Sequence, residues 1–168
     1  MNLTPRENLL KVFKGRLPGL DAGYRALHDL FKVMEEAHRR MLGLALTCEN
    51  DAVVTVDDTS TTTISPDMFE EFCMGYTDRM VDATHAVNKF YFHHSCGLIR
   101  DLLPLYRQTK MDAVHGFTVP PIGNVTVAEG RELLGPDITI IAGFSSIILA
   151  VNSEQRAEAD RGIEALFR

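Results

Sequence analysis

The sequence has no tryptophan, three cysteines, no long apolar run and no basic tract. A membrane-spanning helix needs roughly 18 or more consecutive apolar residues, so the missing run leaves no membrane partner to expect. The charged, amphipathic opening from Met1 to Arg16 is unlike a secretory leader, and a cytoplasmic protein is expected. Lys and Arg number 17 against 23 Asp and Glu, a net charge of −6. That balance excludes a nucleic-acid surface, which works by replacing phosphate counterions with Lys and Arg. Cys48, Cys73 and Cys96 are an odd number in a chain long enough to bury a core, so no disulfide framework is expected. Any chemistry they have is that of thiols or thiolates. There is no internal repeat, and no glycine-rich dinucleotide fingerprint follows any expected strand.

What is present is a series of helix caps and short apolar runs. Thr4, Pro5 and Glu7 form a capping box with Pro at the first helical position, which predicts a helix from Pro5 to Lys14 closed by Gly15. Asp21 caps a longer helix with Tyr24, Leu27, Phe31, Met34, Met41 and Ala45 on a buried face and Glu35, Arg39 and Arg40 in solvent. From Ala52 the pattern changes. Ala52–Val56 reads as a buried strand, and Ser65-Pro66 opens a helix carrying Phe69, Phe72, Cys73, Tyr76, Met80 and Val87. Phe90–His93, Ala113–Phe117 and Ile138–Ala142 read as further strands. Helices follow at Leu98–Gln108, at Val127–Leu134 behind a Thr126/Glu129 capping box, and after Ser153. Repeated strand-then-helix units predict an α/β fold with a parallel sheet and right-handed crossovers. The expected organisation is a single domain, with N-terminal helices over 1–50 and four β/α units over 51–168. A small open doubly wound sheet and part of a (β/α)₈ barrel both fit. A whole barrel takes roughly 250 residues.

The stretch Phe90-Tyr91-Phe92-His93-His94-Ser95-Cys96-Gly97 carries the strongest chemical signal. Side chains alternate along a strand, so His94 and Cys96 point the same way and His93 the opposite way. Imidazole and thiolate at the C-terminal end of a parallel strand form half of a zinc site. The competing reading is a hydrogen-bonded core histidine beside a small buried cysteine. A catalytic zinc takes three protein ligands and keeps one open position, so a third donor must come from elsewhere. Cys48 and Cys73 read as packing residues, and His115 at the end of the next strand is the nearest neighbour. Asp57 and Asp58 follow the first strand directly, as substrate-side or proton-handling carboxylates or as loop acids capping the Thr59–Thr63 turn. The loop Thr118–Asn124 shapes a pocket, with Asn124 and His115 on its substrate side. Gly143, closing the fourth strand, lets a ligand approach the backbone or simply serves a turn.

Taken together, these residues resemble the uroporphyrinogen decarboxylase (URO-D) superfamily, which includes cobalamin-dependent methyltransferases. The resemblance lies in Thr4-Pro5-Arg6-Glu7-Asn8-Leu9-Leu10 with Gly15-Arg16-Leu17-Pro18, and in Asp57 through Ile64-Ser65-Pro66-Asp67-Met68-Phe69-Glu70-Glu71-Phe72. His94-Ser95-Cys96-Gly97, Met111-Asp112-Ala113-Val114 and Ile141-Ala142-Gly143 complete it. It implies a (β/α)₈ TIM-barrel fold, here partial. Three features differ from the family: a helix follows Pro18 where a strand would begin, the arginine-rich segment of true decarboxylases has no counterpart, and no cysteine follows Cys96. For a chain with His-x-Cys the resemblance implies zinc held by His94 and Cys96, a small-molecule thiol activated as thiolate, a methylcorrinoid as methyl donor and a corrinoid protein as a partner that carries it. Asp57 or Asp58 would lie across the mouth. The alternatives are a uroporphyrinogen decarboxylase of tetrapyrrole biosynthesis, or an inactive, truncated paralogue serving as a binding partner. An open half barrel exposes apolar faces and sheet edges, so a homo-oligomer is expected.

Overall fold

The computed structural model describes residues 21–142, together with Ala157 and Arg161. The helices expected at 5–14 and after Ser153, and Gly143, lie outside the described residues. The chain falls into two compact units divided between Thr47 and Cys48.

In the first unit, helix α1 (Asp21–Leu46) forms as its apolar periodicity predicts. Its exposed side is laced by ion pairs one turn apart, Asp29–Lys32 and Glu36 with Arg39 and Arg40. Met34 and Met41 are not on a buried face: they are 43% and 67% exposed. The apolar arc is wider than the covered one. It continues through Leu30, Val33 and Leu44, all exposed, while Glu35 is only half-exposed. Among the described residues no helix is long and apolar enough to cross a membrane.

The second unit opens with β1 (Ala52–Val56), whose residues are nearly all β-branched. Ser65 then caps α2 (Pro66–Met68) by accepting a hydrogen bond from the Met68 amide. The helical path widens into a π-helical stretch at Phe69–Met74 and continues as α3 (Gly75–His85). After β2 (Phe90–His94) come a 3₁₀ turn at Arg100–Leu102 and α4 (Leu103–Tyr106). This is much shorter than the helix expected over Leu98–Gln108. The Leu98 amide donates to Ser60 Oγ and its carbonyl accepts from Thr61, so its backbone is committed to the neighbouring loop and cannot join a helical ladder. β3 (Ala113–Phe117), α5 (Val127–Leu134) and β4 (Thr139–Ala142) complete the described elements. The Thr126/Glu129 capping box forms reciprocally at the start of α5.

The four strands are parallel and lie in the order β1-β2-β3-β4. Each crossover therefore advances one strand in the same direction. A doubly wound sheet reverses direction at a switch point, whereas sequential order is that of a barrel wall. The fold is α/β, a partial TIM-barrel arrangement.

Alternation along the strands gives the sheet two unlike faces. Tyr91, His93 and Val114 point into the layer beneath the helices and are buried with Phe69, Leu102, Leu103 and Tyr106. The Phe69 and His93 rings each meet the Tyr106 ring edge-on, with centroids 5.2 Å apart. The other face carries Val54, Val56, Phe90, Phe92, His94 and His115. β1 is not a buried strand there, because Val54 is 44% and Val56 75% exposed. As the terminal strand of the described sheet, β1 has a neighbour on one side only.

Candidate functional site

Parallel register is what assembles the site. Val56 lies opposite His94, and His94 opposite His115. Two residues beyond Val56 and His94, the next positions of the same face are Asp58 and Cys96. They meet: Cys96 Sγ donates to Asp58 Oδ1 at 2.9 Å. One ligand atom from each of Asp58, His94 and Cys96 lies within 4.8 Å of the others. Tetrahedral zinc holds such donors at about 2.0–2.3 Å and hence roughly 3.5 Å from one another, so the set is within about an ångström of closing on an ion. One oxygen, one nitrogen and one sulfur donor fit zinc and leave a fourth position for a substrate. The hydrogen bond to the Asp58 carboxylate, then burial, pushes the Cys96 thiol above its ordinary range.

His94 is held from behind. Its Nδ1 lies 2.9 Å from His115 Nδ1, which leaves Nε2 as the ring atom available to a metal. The ring occupies space that only glycine can leave. β3 bulges between His115 and Phe117, and Gly116 there has φ +77°. A Cβ on Gly116 would stand 2.5 Å from His94 Cε1 and 2.7 Å from Nδ1.

The loops leaving β1 and β2 are tied together around these residues. Asp58 itself has φ +40°, a left-handed conformation that Asp adopts more readily than most residues. The next residue, Thr59, places Oγ1 3.1 Å from Ser95 Oγ, 2.6 Å from the Tyr106 hydroxyl and 3.0 Å from His93 Nε2. Ser95 Oγ donates to the Thr59 carbonyl at 2.6 Å, and the Ser95 amide donates to the His115 carbonyl. Ser60 Oγ accepts from the Leu98 amide, and Gly97 accepts the close approach of Ser60 with φ +82°.

The two neighbouring acids diverge. Asp57 turns to the helix-side layer, with Oδ2 3.4 Å from buried His93 Nδ1, while Asp58 faces Cys96. Asn124 Oδ1 accepts from the Arg100 amide and so holds the turn after Cys96. Cys73 lies in the π-helical stretch, its thiol raised to about 11 by burial and by the Asp57 charge. Cys48 is exposed. Reading the residues in sequence missed Gly116 and the Thr59–Ser95–Tyr106 cluster. A glycine directly after a strand histidine was the available signal for the first. The second had none, since its members are 11 to 47 residues apart.

Comparison with protein-family models matches residues 22–141 to the family described as Uroporphyrinogen decarboxylase (URO-D). No curated protein and no solved structure matches the chain. The matched span takes in nearly all of α1. It also contains β1, β2, β3, all of β4 but its last residue, and the Asp58, His94 and Cys96 cluster. With the matched span covering well over half of its length, and with a sequentially ordered parallel sheet, this chain belongs to the uroporphyrinogen decarboxylase (URO-D) family.

Proposed function

We propose that the chain is a zinc-dependent, methyltransferase-like member of the URO-D family, moving a methyl group from a methylcorrinoid to a small thiol. The observation that supports this most is the convergence of Asp58, His94 and Cys96 at the C-terminal ends of β1 and β2. His94 and Cys96 offer two donors and Asp58 a third. Zinc held by these three would act as a Lewis acid that lowers the pKa of a thiol at the open fourth position.

The rest is done by the chain's own groups. His115 and Gly116 fix the His94 ring in one orientation, and Asp58 and Cys96 enter the centre as a preformed pair. A polycarboxylate substrate would instead call for unpaired guanidinium groups at the mouth. Arg100, on the turn after Cys96, is engaged with Glu129 at 2.7 Å. Among the described residues, the guanidinium on this turn is thus already paired, in keeping with a soft, thiol-directed site.

The test is zinc per chain in protein purified without added metal, alongside His94→Ala, Cys96→Ser and Asp58→Asn. Near-stoichiometric zinc that falls in all three variants, with thiol methylation from methylcobalamin in the parent only, is the expected result. A parent without zinc, or variants that keep it, would overturn the proposal.

A further inference from the structure

Three residues that touch no metal donor through their side chains are nonetheless placed to control the centre. Thr59 follows Asp58 directly, and Ser95 sits between His94 and Cys96. Tyr106 comes from a different element, α4, and its hydroxyl reaches both, 2.6 Å from Thr59 Oγ1 and 2.8 Å from Ser95 Oγ. All are sealed from water: Thr59 is 6% exposed, and Ser95 and Tyr106 0%. His93 closes the cluster from the sheet side at 3.0 Å.

Because alternate residues face opposite ways, the strand ends that send Asp58, His94 and Cys96 outward send Thr59, His93 and Ser95 inward. Hydroxyl contacts on the inner side therefore set the separation of the donors on the outer side. The turn that they hold has a left-handed backbone at Asp58. An apolar filling of the same volume would pack, but it would not fix β1's exit against β2's. Hydrogen-bond geometry is directional and dispersion contacts are not.

We propose that the buried hydroxyl cluster of Thr59, Ser95 and Tyr106 is the positioning device of the Asp58–His94–Cys96 centre, holding the Asp58 turn against the His-x-Cys strand end. The inference rests on the metal-binding reading above and adds to it the residues that set metal affinity without ligating. Outer residues that orient metal ligands typically change affinity about 10- to 100-fold.

The experiment compares the full chain with Thr59→Val, Thr59→Ser and Tyr106→Phe. Zinc Kd is measured by competition with a chromogenic chelator, the visible absorption of the Co²⁺-substituted proteins is recorded, and folding is checked by circular dichroism. Thr59→Val and Tyr106→Phe should remain folded, bind zinc at least about tenfold more weakly and show an altered Co²⁺ spectrum. Thr59→Ser, which keeps the hydroxyl, should restore the parent's affinity and spectrum. Parent-like Kd and spectrum in the folded Val and Phe variants would overturn the positioning role while leaving the metal site standing. Loss of fold in both would also overturn it, by assigning the cluster to core stability. A parent that binds no zinc would overturn the metal reading itself, and this inference with it.

Discussion

Replacing Gly116 by alanine tests whether the His94 ring is held as the structure shows. Two separate costs follow from the geometry. An L-residue at φ +77° carries left-handed strain of about 1–2 kcal/mol. The added Cβ also lies 2.5 Å from His94 Cε1, where carbon atoms rest at about 3.5 Å, so the ring must retreat by roughly an ångström. Such overpacking costs about 1–3 kcal/mol. Together the substitution should destabilise the protein by roughly 2–5 kcal/mol. A retreat of that size also breaks the 2.9 Å contact with His115 and moves the ring from Asp58 and Cys96, which should weaken zinc binding about 10- to 100-fold or more. The decisive assay is a double-mutant cycle by chemical denaturation. In a His94→Ala background the clash has no partner, so Gly116→Ala should cost only the strain of about 1–2 kcal/mol. An equal penalty in both backgrounds, or parent-like zinc affinity in Gly116→Ala, would refute the reasoning.

Two further outcomes are expected. The Glu129 carboxyl is held at about 2 by the Thr126 amide, then by the Arg100 guanidinium and the Thr126 hydroxyl. A carboxyl lowered on folding stabilises above its unfolded value of 4.5 and loses that contribution as pH falls toward about 2. The stability gap between the parent and Glu129→Gln should therefore be constant near neutrality and shrink on acidification; a gap that widens in acid contradicts this. For the cysteines, iodoacetamide at about pH 8 followed by peptide mass mapping should modify exposed Cys48 first. Cys73, with its thiol near 11, is only about one part in a thousand thiolate at that pH and should react after unfolding. Equal rates at Cys48 and Cys73 would show that the π-helical stretch does not shield its thiol.

Local chemistry made much of the chain legible. Thr126 and Glu129 announce the start of α5 because a capping box is closed by residues three apart. The alternation Phe90, Phe92, His94, Cys96 announces a shared face, since the strand period of two needs no neighbour to enforce it. Where sequence and structure part, a partner distant in the chain intervened. Leu98 and Ile99 leave the helix expected there because the loop bearing Ser60 and Thr61 takes up the Leu98 backbone. Val54 and Val56 have a buried strand's composition but a terminal strand's exposure. Burial depends on what lies alongside.

The same division runs through the site. The sequence by itself determined the repeating β/α pattern, the family likeness and the common direction of His94 and Cys96, because each depends on residues a few positions apart. Only the tertiary structure decided that the sheet is sequentially ordered, that Asp58 rather than Asp57 meets Cys96, and that His115 backs His94 over the space left by Gly116. Those outcomes follow from which strand lies beside which, and in what register. A shift of one residue in that register would turn every side chain on the moved strand to the opposite face.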